Sequence, residues 1–102
     1  MWGVPVTGRV PKKTLHRARR TLCRRIGAAV VSAMAETDTD FATIDMRLGQ
    51  RPGTAKQWLD GLIAGTEKRL NVVSDLFHSM NCEITLSLRP LPEDGEESEP
   101  PA

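Results

Sequence analysis

The chain has no tyrosine and only four aromatic side chains in 102 residues: Trp2, Phe41, Trp58 and Phe77. Its two cysteines, Cys23 and Cys82, stand alone with no Cys-x-x-Cys pair. That excludes a disulfide framework and points to thiols used as small apolar fillers in a reducing, cytoplasmic setting. His16 and His78 lack ligand spacing with either cysteine, so no metal site and no cofactor are expected. No apolar run approaches the roughly 18 residues of a membrane helix. A phosphate-cradling glycine loop is missing too, because Gly49, Gly53, Gly61 and Gly65 read as punctuation at helix ends. Ser74, Asp75, His78 and Ser79 crowd one segment, but packing explains that segment better than a nucleophile, base and orienter converging in a rigid pocket. The chain therefore reads as a protein without catalytic residues and not as an enzyme.

What is present is an uneven distribution of charge. Net charge is +1, yet eight of the fourteen Lys and Arg precede residue 26 and no acid does. After residue 89 there are five acids, Glu93, Asp94, Glu96, Glu97 and Glu99, and no base. This asymmetry suggests a polyanion-binding front and a solubilising tail. The Arg-rich start has the composition of a mitochondrial transit peptide, but it runs on into a helix with a well-formed apolar stripe, which favours a folded element.

Residues 1–11, with two Gly and two Pro, read as a flexible basic arm, and Pro11 suits the first turn of a helix. Leu15, Ala18, Leu22, Ile26, Ala29, Val30 and Ala33 then recur at three- and four-residue spacing and predict a helix over 12–36. Asp38 or Thr39 is expected to cap a second helix carrying Phe41, Ile44 and Leu48 and stopping at Gly49. Gln50-Arg51-Pro52-Gly53 is a turn in which Pro52 is able to start the next helix, over about 53–60, with Ala55, Trp58, Leu59 and Leu62 inward. A loop flanked by Gly61 and Gly65 leads to a fourth helix, about 67–80, with Leu70, Val73, Leu76, Phe77 and Met80 inward. The period then changes to two: Ile84, Leu86 and Leu88 alternate with polar residues and predict a half-buried strand with nothing else in the chain to pair with. Its unpaired backbone groups call for a second copy of the chain across a two-fold axis. From Pro90 on, the acidic, Pro-rich stretch 90–102 reads as a disordered tail.

Two short helices joined by a tight turn outline a helix-turn-helix. The stretch IDMRLGQRPGTAKQWLDG resembles that of the Cro and lambda-repressor-like (XRE-type) DNA-binding proteins. Ile44, Leu48 and Gly49 match the first part of the family's pattern; Ala55, Trp58, Leu59 and Gly61 match the second. The downstream stretch LNVVSDLFHSMNCEITLSLRP is similar to the family's next helix and, in some members, its C-terminal strand, so the resemblance covers about residues 40–89. Three positions depart from it. Asp45 stands where a small buried Ala is usual, Gln50 replaces an apolar turn residue, and Phe41 occupies a position that is often polar. These departures imply either an unusual spacing of the helix pair or a shift of the helix that carries Phe41 and Asp45.

The resemblance implies a mainly α, four-to-five-helix domain over residues 12–89 with one C-terminal strand pairing across a dimer. It also implies a sequence-specific regulator of transcription, most simply a repressor, bound to double-stranded DNA near the nucleoid. In such a protein Arg51, Thr54, Lys56, Gln57 and Asp60 would face the major groove. Gln57 suits adenine, and Arg51 or Lys56 suits guanine. Arg17, Arg20 and Arg24 of the first helix would lie along phosphates. Two other expectations stay open: an antitoxin that covers a toxin while repressing its own operon, and a protein-interaction module on a degenerate helix-turn-helix.

Overall fold

The computed structural model describes residues 8–90. Trp2, most of the expected arm and residues 91–102 of the expected tail lie outside the described residues. Four helices follow in order: α1 Lys12–Glu36, α2 Phe41–Arg47, α3 Thr54–Ala64 and α4 Leu70–Ser79. Among the described residues there is no strand, and no helix is long and apolar enough to cross a membrane.

α1 begins where Pro11 allows it, with the Leu15 N–H donating to the Pro11 carbonyl at 3.1 Å. Its length matches the periodicity, but its buried face does not. Leu15 and Leu22 are 40% and 59% exposed, Ala18 and Ala29 are exposed, and the core side consists of Cys23, Ile26, Gly27, Val30, Ala33 and Met34. From Lys12 to Leu22 no residue is buried. The other three helices cover only the second half of α1, so the first half projects and its apolar residues have nothing to pack on. In the covered half α3 comes so close that a Cβ on Gly27 would stand 3.2 Å from Ile63 Cγ1 and 3.4 Å from Leu62 Cβ.

The corner between α1 and α2 is built from four consecutive residues. Thr37 donates its hydroxyl to the Ala33 carbonyl at 2.7 Å. Asp38 takes a left-handed conformation (φ 50°), and the Thr39 N–H returns to the Met34 carbonyl at 2.9 Å, closing the helix end. Thr39 is buried against the Thr37 hydroxyl at 2.7 Å. Both expected caps are thus used to end α1, and the cap of α2 is Asp40, which accepts the Thr43 N–H at 2.8 Å. Hydrogen bonding from the Thr43 side chain and backbone holds the Asp40 carboxyl below the usual carboxylate range.

α3 starts one residue later and ends four residues later than expected. Pro52 does not open it. Pro52 and Gly53 are the middle of a turn closed by the Thr54 N–H on the Arg51 carbonyl at 3.1 Å, with Gly53 at φ 92°, a value that suits glycine. Gly61 lies inside α3 and does not flank a loop: its carbonyl receives the Thr66 and Glu67 N–H groups at 2.8 and 3.1 Å. A Cβ there would meet Glu67 Cβ at 3.0 Å, so the glycine makes room for the returning chain. The helix ends instead at Gly65, φ 81°.

α4 is shorter than expected at both ends. Residues 68–71 are exposed, so Leu70, expected inward, is 82% exposed, and the inward set is Val72, Val73, Leu76, Phe77 and Met80. These residues join Val30, Ile44, Ala55, Leu59 and Leu62 in one core, with Phe41, Leu48 and Trp58 packed against its edge. By area, each fully buried Val, Leu or Ile contributes about 1.5–3 kcal/mol. After α4 the alternating segment takes no strand pairing and buries neither of its faces within the single chain. Ile84, Leu86 and Leu88 are 44%, 86% and 75% exposed, because no neighbouring element reaches them.

Candidate functional site

The two helices and turn at 41–64 are held together by a residue that the sequence pattern marks as out of place. Asp45 is 5% exposed. One of its carboxylate oxygens accepts the Gly53 N–H at 2.9 Å and the other the Ala55 N–H at 2.8 Å. Its backbone carbonyl accepts the Gln50 N–H at 2.8 Å, which closes the end of α2. One residue of α2 therefore caps the start of α3 from outside that helix. A carboxylate at a helix N-terminus is favoured both by the free N–H groups there and by the helix dipole. Asp45 is a tertiary cap that fixes where α3 leaves the turn. Gln50 contributes its backbone to the same turn and remains exposed.

A second tie was not foreseen. The Arg47 guanidinium donates to the Ser79 carbonyl at 2.7 Å, fastening the end of α2 to the end of α4, where a cation opposes the helix dipole favourably. Asp45 and Arg47 together fix α2 against the two helices that follow it.

With that frame set, α3 presents two faces. Ala55, Leu59 and Leu62 are buried, and Trp58 is half-buried. Lys56, Gln57 and Asp60 are exposed, Arg51 is exposed in the turn, and Thr54 is half-buried at the first position. These five expected residues are gathered on the turn and the first two turns of α3. Lys56 Nζ lies 2.9 Å from the Asp60 carboxylate, with both side chains about 60% exposed (63% and 60%). An exposed pair of this kind contributes little stability. It does partly occupy the Lys56 charge, whereas the side chains of Arg51, Thr54 and Gln57 make no hydrogen bond or ion pair among the described residues.

The α1 arginines stand elsewhere. Arg17 and Arg20 line an open cleft of about 530 Å³ with Lys13, His16 and Arg19. Gly65 and Lys68 form its other side, at the C-terminal end of α3. Arg24 is exposed but does not line this cleft. The expected set is thus divided between the two ends of α3. From Gly53 to Gly65 the helix advances about 18 Å at 1.5 Å per residue. Lys13, His16, Arg19 and Lys68 were not among the expected residues; the run of cations from Lys12 to Arg25 contained the signal for the first three, and Lys68 joins them only through the fold.

Below the cleft, Glu67 and Arg69 form a bidentate pair at 2.8 and 3.2 Å. The Arg69 hydrogen bonds hold the Glu67 carboxyl below its usual range and raise the guanidinium correspondingly. Buried Cys23 donates its thiol to the Glu67 carbonyl at 3.3 Å, which ties α1 to the same loop. Among the described residues no group of three or more His, Cys, Asp or Glu is placed to hold a metal ion. Comparison of the chain with protein families, with curated proteins and with solved structures found no match.

Proposed function

We propose that the chain is a sequence-specific, double-stranded-DNA-binding regulator of the lambda-repressor-like type, which inserts the first turns of α3 into the major groove. The observation that carries this reading is the Asp45 clamp: its two carboxylate oxygens hold the N–H groups of Gly53, which precedes α3, and of Ala55 in its first turn. A recognition helix has to present its outer side chains at a fixed angle, and a helix clamped at its entry and buried along Ala55, Leu59 and Leu62 does so. Lys56 and Gln57 project into solvent, as groove contact requires. Gln57 pairs with adenine, and Arg51 with guanine or phosphate. The cations of α1 add attraction to phosphates that is independent of sequence.

The exposed alternation Ile84, Leu86 and Leu88 supports a homodimer, in which this segment pairs as a strand with its copy. Two-fold symmetry then places half-sites about 34–36 Å apart or at a multiple of that spacing. Binding to a mixture of genomic fragments, followed by sequencing of the retained DNA, tests the reading. On a recovered site Gln57→Ala should cost about 1–3 kcal/mol and relax preference at one base position. Unchanged affinity and preference in both Gln57→Ala and Lys56→Ala would refute the assignment of α3.

A further inference from the structure

We infer that the cleft between the first turns of α1 and Gly65–Lys68 seats the sugar-phosphate backbone of a DNA duplex, at the end of α3 opposite to the one that reads bases. The inference rests on the reading of α3 as a groove-entering helix and adds to it a second contact at a defined place.

The cleft carries five Lys or Arg and one His, and no carboxylate lines it. The ion pairs recorded among the described residues, Lys56 with Asp60 and Arg69 with Glu67, involve none of its cations. Lys13, His16, Arg17 and Arg20 follow the i, i+3, i+4, i+7 spacing of one helix face and extend over about 10 Å of α1. One of them is held in place: Arg20 lies so close over Gly65 that a Cβ there would stand 2.7 Å from Arg20 Cγ. The C-terminal end of α3 opposes an anion with about half a negative charge. Five cations outweigh it.

Length points to the occupant. α3 has 11 residues and is therefore about 16 Å long. The major groove is about 12 Å wide. A helix whose first turns sit in that groove reaches the flanking backbone with its last turn, where the cleft lies. The acidic segment at 93–99 is the rival occupant. Five acids in seven residues give about one charge per 5 Å of extended chain, whereas duplex DNA carries one per roughly 1.7 Å of axis. The denser polyanion matches a row of cations spaced a few ångströms apart.

The test uses the full chain and a short duplex of arbitrary sequence, with binding followed by fluorescence anisotropy across a salt series. The triple variant Arg17→Gln, Arg20→Gln, Lys68→Gln changes only exposed side chains. It should lower the slope of log affinity against log salt by about 3, one for each lost phosphate contact. Arg89→Gln, outside the cleft, should leave the slope unchanged. Equal slopes for the triple variant and the parent overturn the inference. If α3 variants still lose base preference in that case, the reading of α3 stands without the cleft; if no protein binds duplex at any salt, both fall. Tighter binding of a synthetic peptide copying residues 91–102 than of the duplex, at equal salt, also overturns it, in favour of this chain's own acidic segment.

Discussion

Replacing Asp45 should loosen the turn between α2 and α3 more than any exposed substitution nearby. The side chain accepts two backbone N–H groups, at 2.9 Å from Gly53 and 2.8 Å from Ala55. In Asp45→Ala the two donors fare differently. Gly53 is exposed, so water replaces the lost oxygen there and the loss is small. Ala55 is 1% exposed, and its N–H is left buried without a partner, at about 1–3 kcal/mol. Losing the cap and the favourable charge at the start of α3 adds about 1 kcal/mol. Removing a buried carboxylate also removes its desolvation cost, which keeps the total at the lower end of that sum, about 2–3 kcal/mol. For a domain of this size that corresponds to a Tm lower by roughly 10–20 °C. Asp45→Asn keeps one acceptor oxygen but turns an NH2 toward the second donor, so it should fall between parent and Ala. Urea unfolding followed by far-UV circular dichroism measures the change, and amide hydrogen exchange locates it. Protection should drop first at Ala55 and its neighbours in α3. A loss below about 0.5 kcal/mol, the range of ordinary surface substitutions, with α3 protection unaltered, would refute the claim that Asp45 clamps the helix.

Three further outcomes follow from described contacts. Gly65→Ala places a Cβ at φ 81° and 2.7 Å from Arg20 Cγ, so it should destabilise by about 1–2 kcal/mol; Arg20→Ala in the same chain should restore the clash component but not the backbone strain, as a double-mutant cycle in urea would show. The Asp40 and Glu67 carboxyls are held below their usual range when folded, so the unfolded chain binds more protons, and the stability they contribute is present above about pH 4 and lost as acid is added below it; Asp40→Asn with Glu67→Gln should flatten the urea midpoint against pH in that window. Leu86→Lys, at a position 86% exposed within the chain, should leave Tm of the monomer unchanged while reducing the mass measured by light scattering from twice 11.2 kDa to 11.2 kDa; a parent that is already monomeric refutes the strand-paired dimer.

Much of the fold was legible because it depends on local chemistry. The extent of α1 follows from Pro11 and unbroken helical periodicity up to the Thr-Asp cluster, and the observed span Lys12–Glu36 equals the expected one. The inner face of α3 was legible for the same reason. What failed depends on partners distant in sequence. Periodicity identifies an apolar stripe but not whether anything lies opposite, and so Leu15, Leu22 and Leu70 were read as buried. Gly61 looks like a terminator because its need for space comes from Glu67, which reaches it only through the fold. Asp45 was the most informative departure: an acid seven residues before a Pro-Gly turn has no local reason to be there, and its role appears only when Gly53 and Ala55 are brought to it. At the site, the polar face of α3 was visible in the sequence, whereas the division of the arginines between cleft and open surface was not.

The first eleven residues of α1 carry no buried side chain, and beyond the seat of Arg20 over Gly65 their helical state depends on neighbours on the same helix. Those neighbours include Arg17, Arg20 and Arg24, like charges three and four residues apart that push one another away in dilute buffer. Dissolved ions therefore act on this half-helix in two opposed senses, easing the mutual repulsion that unwinds it while shielding it from any anionic surface it would grip.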